Sequence, residues 1–224
     1  MSSEAEIRKN RSIEILKKHD IPYLDDLPMI ETEDEAEFRS VEEIARRAMI
    51  TIITASYAAG LTSDKDVEDD REFYRDLLDK YDLMDAMTSR EQKFMAATVY
   101  DQKESVQISW RYEAGLVLMW ALGLVPELYY PDKICNTEQL VGIIRDHDTF
   151  DSFMVEVEPR KNSEILDEAD LIYRYRWAAV DAIFIQKLPV PPGGMDRGVL
   201  VERHVALNWL IGLGDDYESV PLDT

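Results

Sequence analysis

Hydrophobic positions recur at helical spacing along most of the chain, and the alternation that marks a strand is nearly absent. The clearest helix opens at Ser40-Val41-Glu42-Glu43. Ser40 can accept from a free backbone N–H, and Glu43, three residues on, can reach back to the cap. Val41, Ile44, Ala45, Ala48, Met49, Ile52 and Ile53 then trace a broad buried face, and Gly60 is a natural stop. Thr88-Ser89-Arg90-Glu91 repeats the cap chemistry and predicts a helix that runs into a long one ending near Gly123. Asn136-Thr137-Glu138-Gln139 opens a short helix to about His147, and long helices are expected over 163–187 and 197–211. A charged helix over 4–19 carries a thin stripe of Ile7, Ile13, Ile15 and Leu16, and a polar helix is expected over 66–81.

Two segments resist the pattern. Residues 20–38 hold Pro22, Pro28 and a run of acids from Glu31 to Glu37, which reads as a connecting arm over the surface. Within 150–162, Phe153-Met154-Val155-Glu156-Val157 fits either a short strand or a helical turn. No internal repeat and no βαβ alternation appears. The fold class expected is all-α: a multi-helix globular bundle with two central apolar helices and room for a minor short strand pair. One helical domain is expected over 1–224, with 1–39 supplying an N-terminal helix and an acidic arm packed on the bundle.

The charges on the two greasiest helices are the informative feature. Residues 114–125 are apolar on every side, yet Trp110, Arg111 and Glu113 lead into them. In the last helix, Glu202, Arg203, His204 and Asn208 are embedded among Val199, Leu200, Val205, Leu207, Trp209 and Leu210. The helix over 163–187 has a stripe of Leu166, Ala169, Tyr173, Trp177, Val180 and Phe184, with Asp170 and Arg174 spaced to pair and Arg176 and Asp181 flanking Trp177. Removing one member of a buried ion pair costs about 3–5 kcal/mol, so such charges need partners. Trp110, Arg111, Glu113, Arg176, Trp177, Asp181, Glu202 and Arg203 are therefore expected to converge. Two readings stay open: an ion-pair network that fixes helix register, or a pocket in which arginines hold an anion and a glutamate acts as base or acceptor. Access to water separates them.

Composition narrows the partners. Asp and Glu number 46 against 25 Lys and Arg in 224 residues, a formal charge of −21. Such a chain is a poor non-specific nucleic-acid binder and is repelled by anionic lipid. The longest apolar stretch falls short of the ~20 residues a bilayer span needs, and the N-terminal residues lack a signal's apolar region. Lone Cys135 cannot form an internal disulfide, which fits a reducing, cytoplasmic setting. Pro192-Gly193-Gly194-Met195 lacks the residues of a phosphate loop, and His19, His147 and His204 are too scattered for zinc. Asp146-His147-Asp148 reads as a solvated turn, and the acid run Asp64, Asp66, Glu68, Asp69, Asp70 as a solvated helix face. Neither a metal nor a cofactor is expected, and no nucleophile elbow is present. What remains is a cytosolic protein-interaction module for a basic partner or, alternatively, an enzyme or anionic small-ligand binder using the buried Trp/Arg/Glu cluster.

Several spaced motifs carry a resemblance. Trp110-Arg111-x-Glu113-Ala114 leads into Trp120-Ala121-Leu122-Gly123-Leu124. Further on come Ser163-Glu164-Ile165-Leu166-Asp167, Tyr173-Arg174-x-x-Trp177, and Glu202-Arg203-His204-x-Ala206-Leu207-x-Trp209, with Pro221-Leu222-Asp223-Thr224 at the end. Together they resemble the bacterial domain-of-unknown-function family numbered forty-two seventy-two, from about Arg11 to Thr224. One departure is Tyr217, where the family pattern leads one to expect a tryptophan. The resemblance implies fold and extent; it implies no activity.

Overall fold

In the computed structural model, residues 3–62, 67–99 and 101–222 are described. Asp64 and Asp66, the side chains of Glu68 and Asp69, and terminal Asp223 and Thr224 lie outside the described residues. In chain order the first helices are α1 (Glu4–Lys18), α2 (Val41–Leu61), α3 (Val67–Lys80), α4 (Ser89–Ala96) and α5 (Gln102–Ser109). Then come α6 (Tyr112–Ala121), α7 (Thr137–Arg145), α8 (Phe150–Val155), α9 (Asn162–Val180) and α10 (Arg197–Leu210). The fold is all-α, with no strand among the described residues.

Capping side chains decide where these helices begin. At α2, Ser40 Oγ accepts the Glu43 N–H at 3.3 Å while the Glu43 carboxylate accepts the Ser40 N–H at 2.9 Å. Thr88 and Glu91 close the same reciprocal pair at α4. Asp196 starts α10 by accepting from the N–H groups of Gly198 and Val199 at 2.7 and 3.1 Å.

The helix expected to start at Thr88 and run into a long one ending near Gly123 is instead three separate helices. Ala97 turns extended after α4, and its carbonyl accepts from Arg71 Nη1 at 2.9 Å. Asp101 then caps a fresh start by accepting the Lys103 N–H at 2.8 Å. Between α5 and α6 the backbone tightens at Trp110 and Arg111: Arg111 N–H reaches only to Ile108 O, at 3.0 Å. This tight turn holds Arg111 and leads into Glu113, and the two engage different partners.

The 150–162 ambiguity resolves as helix. Thr149 and Ser152 cap each other, and Phe153 is fully buried, its ring edge-on to His147 with centroids 5.5 Å apart. The apolar alternation there is one helical turn followed by an extended stretch. That stretch finishes α6: Glu158 and Arg160 N–H donate to Leu122 O and Ala121 O at 3.1 and 2.9 Å, and Arg160 Nε to Trp120 O at 2.9 Å. Gly123 makes this possible, since at its φ of 79° a Cβ would sit 2.1 Å from Glu158 O.

A continuous apolar core runs from Leu16 to Tyr217, and Glu113 through Ala121 are all buried along α6. Helix α2 lies beside α6 as a third largely buried rod, packed on α3 and α5 as well. Several expected stripes are rotated. On α9 the buried set is Ile165, Leu166, Ala169, Ile172, Tyr175, Ala178 and Ala179, whereas Phe184 is exposed on the π-helical turn Asp181–Ile185 that follows. On α1, Ile7 is exposed and Arg8 is buried instead, donating to Glu31 O at 3.2 Å and pairing with Glu4 and Asp167. Asp170 and Arg174 pair as their spacing implied, at 2.7 Å and fully buried. No described helix is long and apolar enough to cross a membrane.

Candidate functional site

Arg111 and Glu113 do not share one cluster. Arg111 forms a two-pronged fork on Glu218, Nη1 to Oε1 at 2.9 Å and Nη2 to Oε2 at 2.6 Å, and its Nη1 also reaches Glu91 at 3.3 Å. Glu91 has no exposed surface and takes a second cation, Arg47, at 3.0 Å. Thr88 Oγ1 donates to Glu218 at 3.0 Å, and Arg90 approaches the same carboxylate at 3.4 Å. Tyr217 packs beneath, its ring 4.9 Å from the Arg47 guanidinium and edge-on to Trp209. Burial opposes the Arg111 charge, but its bonds to Glu218 and the field of Glu91 overcome this and hold its pKa above the usual value. On Glu218, burial is likewise outweighed by Arg111, and the pKa falls below the carboxylate norm. The C-terminal segment is thereby tied to α4 and α6.

Arg203 is differently placed. Its Nε donates to Glu113 Oε2 at 3.0 Å and its Nη1 to Tyr129 O at 2.6 Å. Glu113 is completed by the Cys135 N–H. Nη2 of Arg203 makes no hydrogen bond among the described residues. Arg203 is 4% exposed and Arg111 7%, so exposure does not distinguish the two. Their surroundings do. Arg203 lines two cavities, of about 200 and about 490 Å³, which share Tyr129 and Tyr130 as walls.

The smaller cavity also holds Glu168, from α9, among Tyr130, Tyr175 and His19. His19 stacks on Tyr130 at 4.7 Å, and Tyr130 meets Tyr175 edge-on at 5.9 Å. Burial raises the Glu168 pKa to about 7, with Arg203 pulling against it. A carboxyl group poised near neutrality beside an arginine, in a cavity, is the pattern that marks many binding and catalytic sites.

The remaining expected residues divide. Trp110 sits at the C-terminal end of α5 and covers α10, where a Cβ on Gly198 would lie 2.7 Å from its ring. Glu202 stands in the field of Arg111, Arg90, Glu218 and Glu113 without a hydrogen bond among the described residues; burial raises its pKa to about 7 against the pull of Arg111 and Arg90. Arg176, Trp177 and Asp181 stand apart from both centres. Arg176 has a buried Nε without a partner among the described residues, Trp177 packs against the core, and Asp181 accepts from Gln186. His204 is buried beside Arg176, and desolvation lowers its pKa to about 3. His147, expected in a solvated turn, is buried instead: its Nδ1 lies 2.7 Å from Ile143 O and its Nε2 3.3 Å from Glu156. Sequence reasoning missed Glu91, Glu218 and Glu168. Glu91 was visible only as a cap, Glu218 as part of an acidic tail, and Glu168 as one acid in the polar run Asp167-Glu168.

The architecture is thus an all-α bundle in which buried Arg111 and Arg203 are held from distant parts of the chain. Residues 8–220 match the family described as Domain of unknown function (DUF4272), and the chain belongs to that family. Neither a curated protein nor a solved structure matches it.

Proposed function

We propose that the protein binds a small polar molecule in the Arg203–Glu168 cavity. The ligand presents a carboxylate or phosphate oxygen to Arg203 and a donor to Glu168. The observation that carries this reading is the unengaged Nη2 of a buried arginine on the wall shared by two cavities. An arginine fork favours planar oxyanions, and the tyrosines supply flat apolar walls. Glu113 already offsets the Arg203 charge, so the cavity favours a molecule carrying both an acceptor and a donor over a bare polyanion.

The test is thermal denaturation against a panel of amino acids, carboxylic acids and phosphate esters. At least one member is expected to raise the melting temperature of the wild type, and to fail with Arg203→Lys and Glu168→Gln. A panel without any shift, or shifts that survive both substitutions, would overturn the reading.

A second reading rests on the net charge of −21: binding of a basic protein through the acidic surface. Capture of such a partner from native lysate at low salt, and its release as salt rises, is the expected result. Failure to recover a salt-sensitive partner would count against it.

A further inference from the structure

We infer that the cavity enclosed by α2, α3, α6 and α7 is a separate binding site, for an apolar molecule ending in a single carboxylate. It encloses about 290 Å³ and shares no wall with the Arg203 cavities. That volume lies near the lower end of the ~300–1,000 Å³ typical of ligand sites, which suits a short chain or a single ring. Ile53, Leu77 and Val141 line it with the rings of Phe73 and Tyr74.

Polar groups in its wall are mostly paired already. The Tyr112 hydroxyl donates to Ser56 Oγ at 2.7 Å, and Ser56 donates to Ile52 O at 2.7 Å. An occupant body therefore needs no hydrogen bonds there, and burying it removes apolar surface from water. Phe73, 60% exposed, is the aromatic ring such a molecule would cover.

The charge at this cavity runs against the rest of the protein. Lys80 and Arg145 both line it, in a chain of net charge −21. Arg145 makes no ion pair or hydrogen bond among the described residues. Among the described residues Lys80 has one ion-pair partner, Asp148, at 3.8 Å and fully exposed, a contact that water and salt weaken, and its ammonium lies 5.0 Å from the Tyr81 ring. Two weakly compensated cations beside an apolar cavity complement an anionic head on an apolar body.

The experiment is calorimetric titration of the full chain with octanoate, 1-octanol and octylamine. Octanoate is expected to bind saturably and more tightly than 1-octanol, and octylamine not to bind. The surface double variant Lys80→Glu/Arg145→Glu is expected to weaken octanoate by about tenfold or more while leaving 1-octanol unchanged. Leu77→Trp and, independently, Val141→Phe should fill the cavity and block both. Equal affinity for octanoate and 1-octanol would overturn the carboxylate assignment. No saturable octanoate binding, or binding indifferent to the charge reversal or to both filling variants, would overturn the site.

Discussion

Arg111 and Arg203 are two arginines of nearly equal burial with different environments. Arg111 meets two carboxylates, Glu218 through a fork and Glu91 through one further bond, and Arg47 and Arg90 share those acids. Arg203 meets one carboxylate and one carbonyl, and faces cavities on its remaining side. The difference teaches that burial alone does not mark a site. A charge whose bonding capacity is used up is a structural fastening, whereas a charge with an unengaged donor against empty volume can take a ligand.

The largest expected effect comes from breaking the fastening. Arg111→Ala takes the forked cation from Glu218 and one of two cations from the buried Glu91, and so loosens the tie between the C-terminal segment and α6. Urea denaturation should show a loss of about 3–5 kcal/mol. Arg203→Lys keeps the charge beside Glu113 but loses the geometry that reaches Glu113 and the Tyr129 carbonyl together, so its loss should be smaller, about 1–2 kcal/mol. Comparable losses from the two would erase the distinction.

Protonation offers a finer probe. Glu168 and Glu202 have folded-state pKa values raised from 4.5 to about 7. Their contribution is therefore fully present below pH 4.5 and is lost as pH rises toward 7 and beyond. His204, lowered from 6.5 to about 3, acts oppositely: its contribution is present above pH 6.5 and is lost as pH falls toward 3. In the wild type the two slopes oppose each other between pH 4.5 and 6.5. Glu168→Gln/Glu202→Gln removes the carboxylate slope, so stability in that window should rise with pH. At pH 8 the double variant should exceed the wild type by on the order of 1–3 kcal/mol. A double variant with unchanged pH dependence would contradict the assigned burial of these acids.

The smallest expected effect lies beneath the Arg111 cluster. The Tyr217 hydroxyl is buried without a hydrogen-bond partner among the described residues, and the ring's contacts are with Arg47, Arg111 and Trp209. Tyr217→Phe keeps those contacts and removes an unsatisfied group, so stability should be unchanged or rise by up to about 1 kcal/mol. A clear loss would mean that the hydroxyl has a partner.

Much of the fold was legible because capping and periodicity are local. Ser40 with Glu43, Thr88 with Glu91, and Asn136 each announce a helix start within four residues, and the glycine after α10 announces its end. The break after α4 was not legible, because it depends on Arg71, 26 residues earlier in sequence, accepting the role of donor to Ala97. The candidate site was half legible for the same reason. Apolar surroundings showed that Arg111, Glu113 and Arg203 needed partners, and of the eight residues expected to converge Glu113 and Arg203 form an ion pair. Which acid answers Arg111 depends on a fold that brings Glu218 across 107 positions, and Glu168 becomes notable only once Tyr175, Tyr130 and Arg203 surround it. Arg176 and Trp177 on α9, and Asp181 on the π-helical turn after it, point elsewhere, which spacing along the chain cannot reveal without the neighbouring helices.

The most direct test compares Arg111→Lys and Arg203→Lys against the same ligand panel, reading the rise in melting temperature relative to each variant's own baseline. Arg203→Lys is expected to abolish the response of any ligand that shifts the wild type, and Arg111→Lys to retain it. A response that persists in Arg203→Lys, or disappears equally in both, would contradict the division of labour between the two arginines.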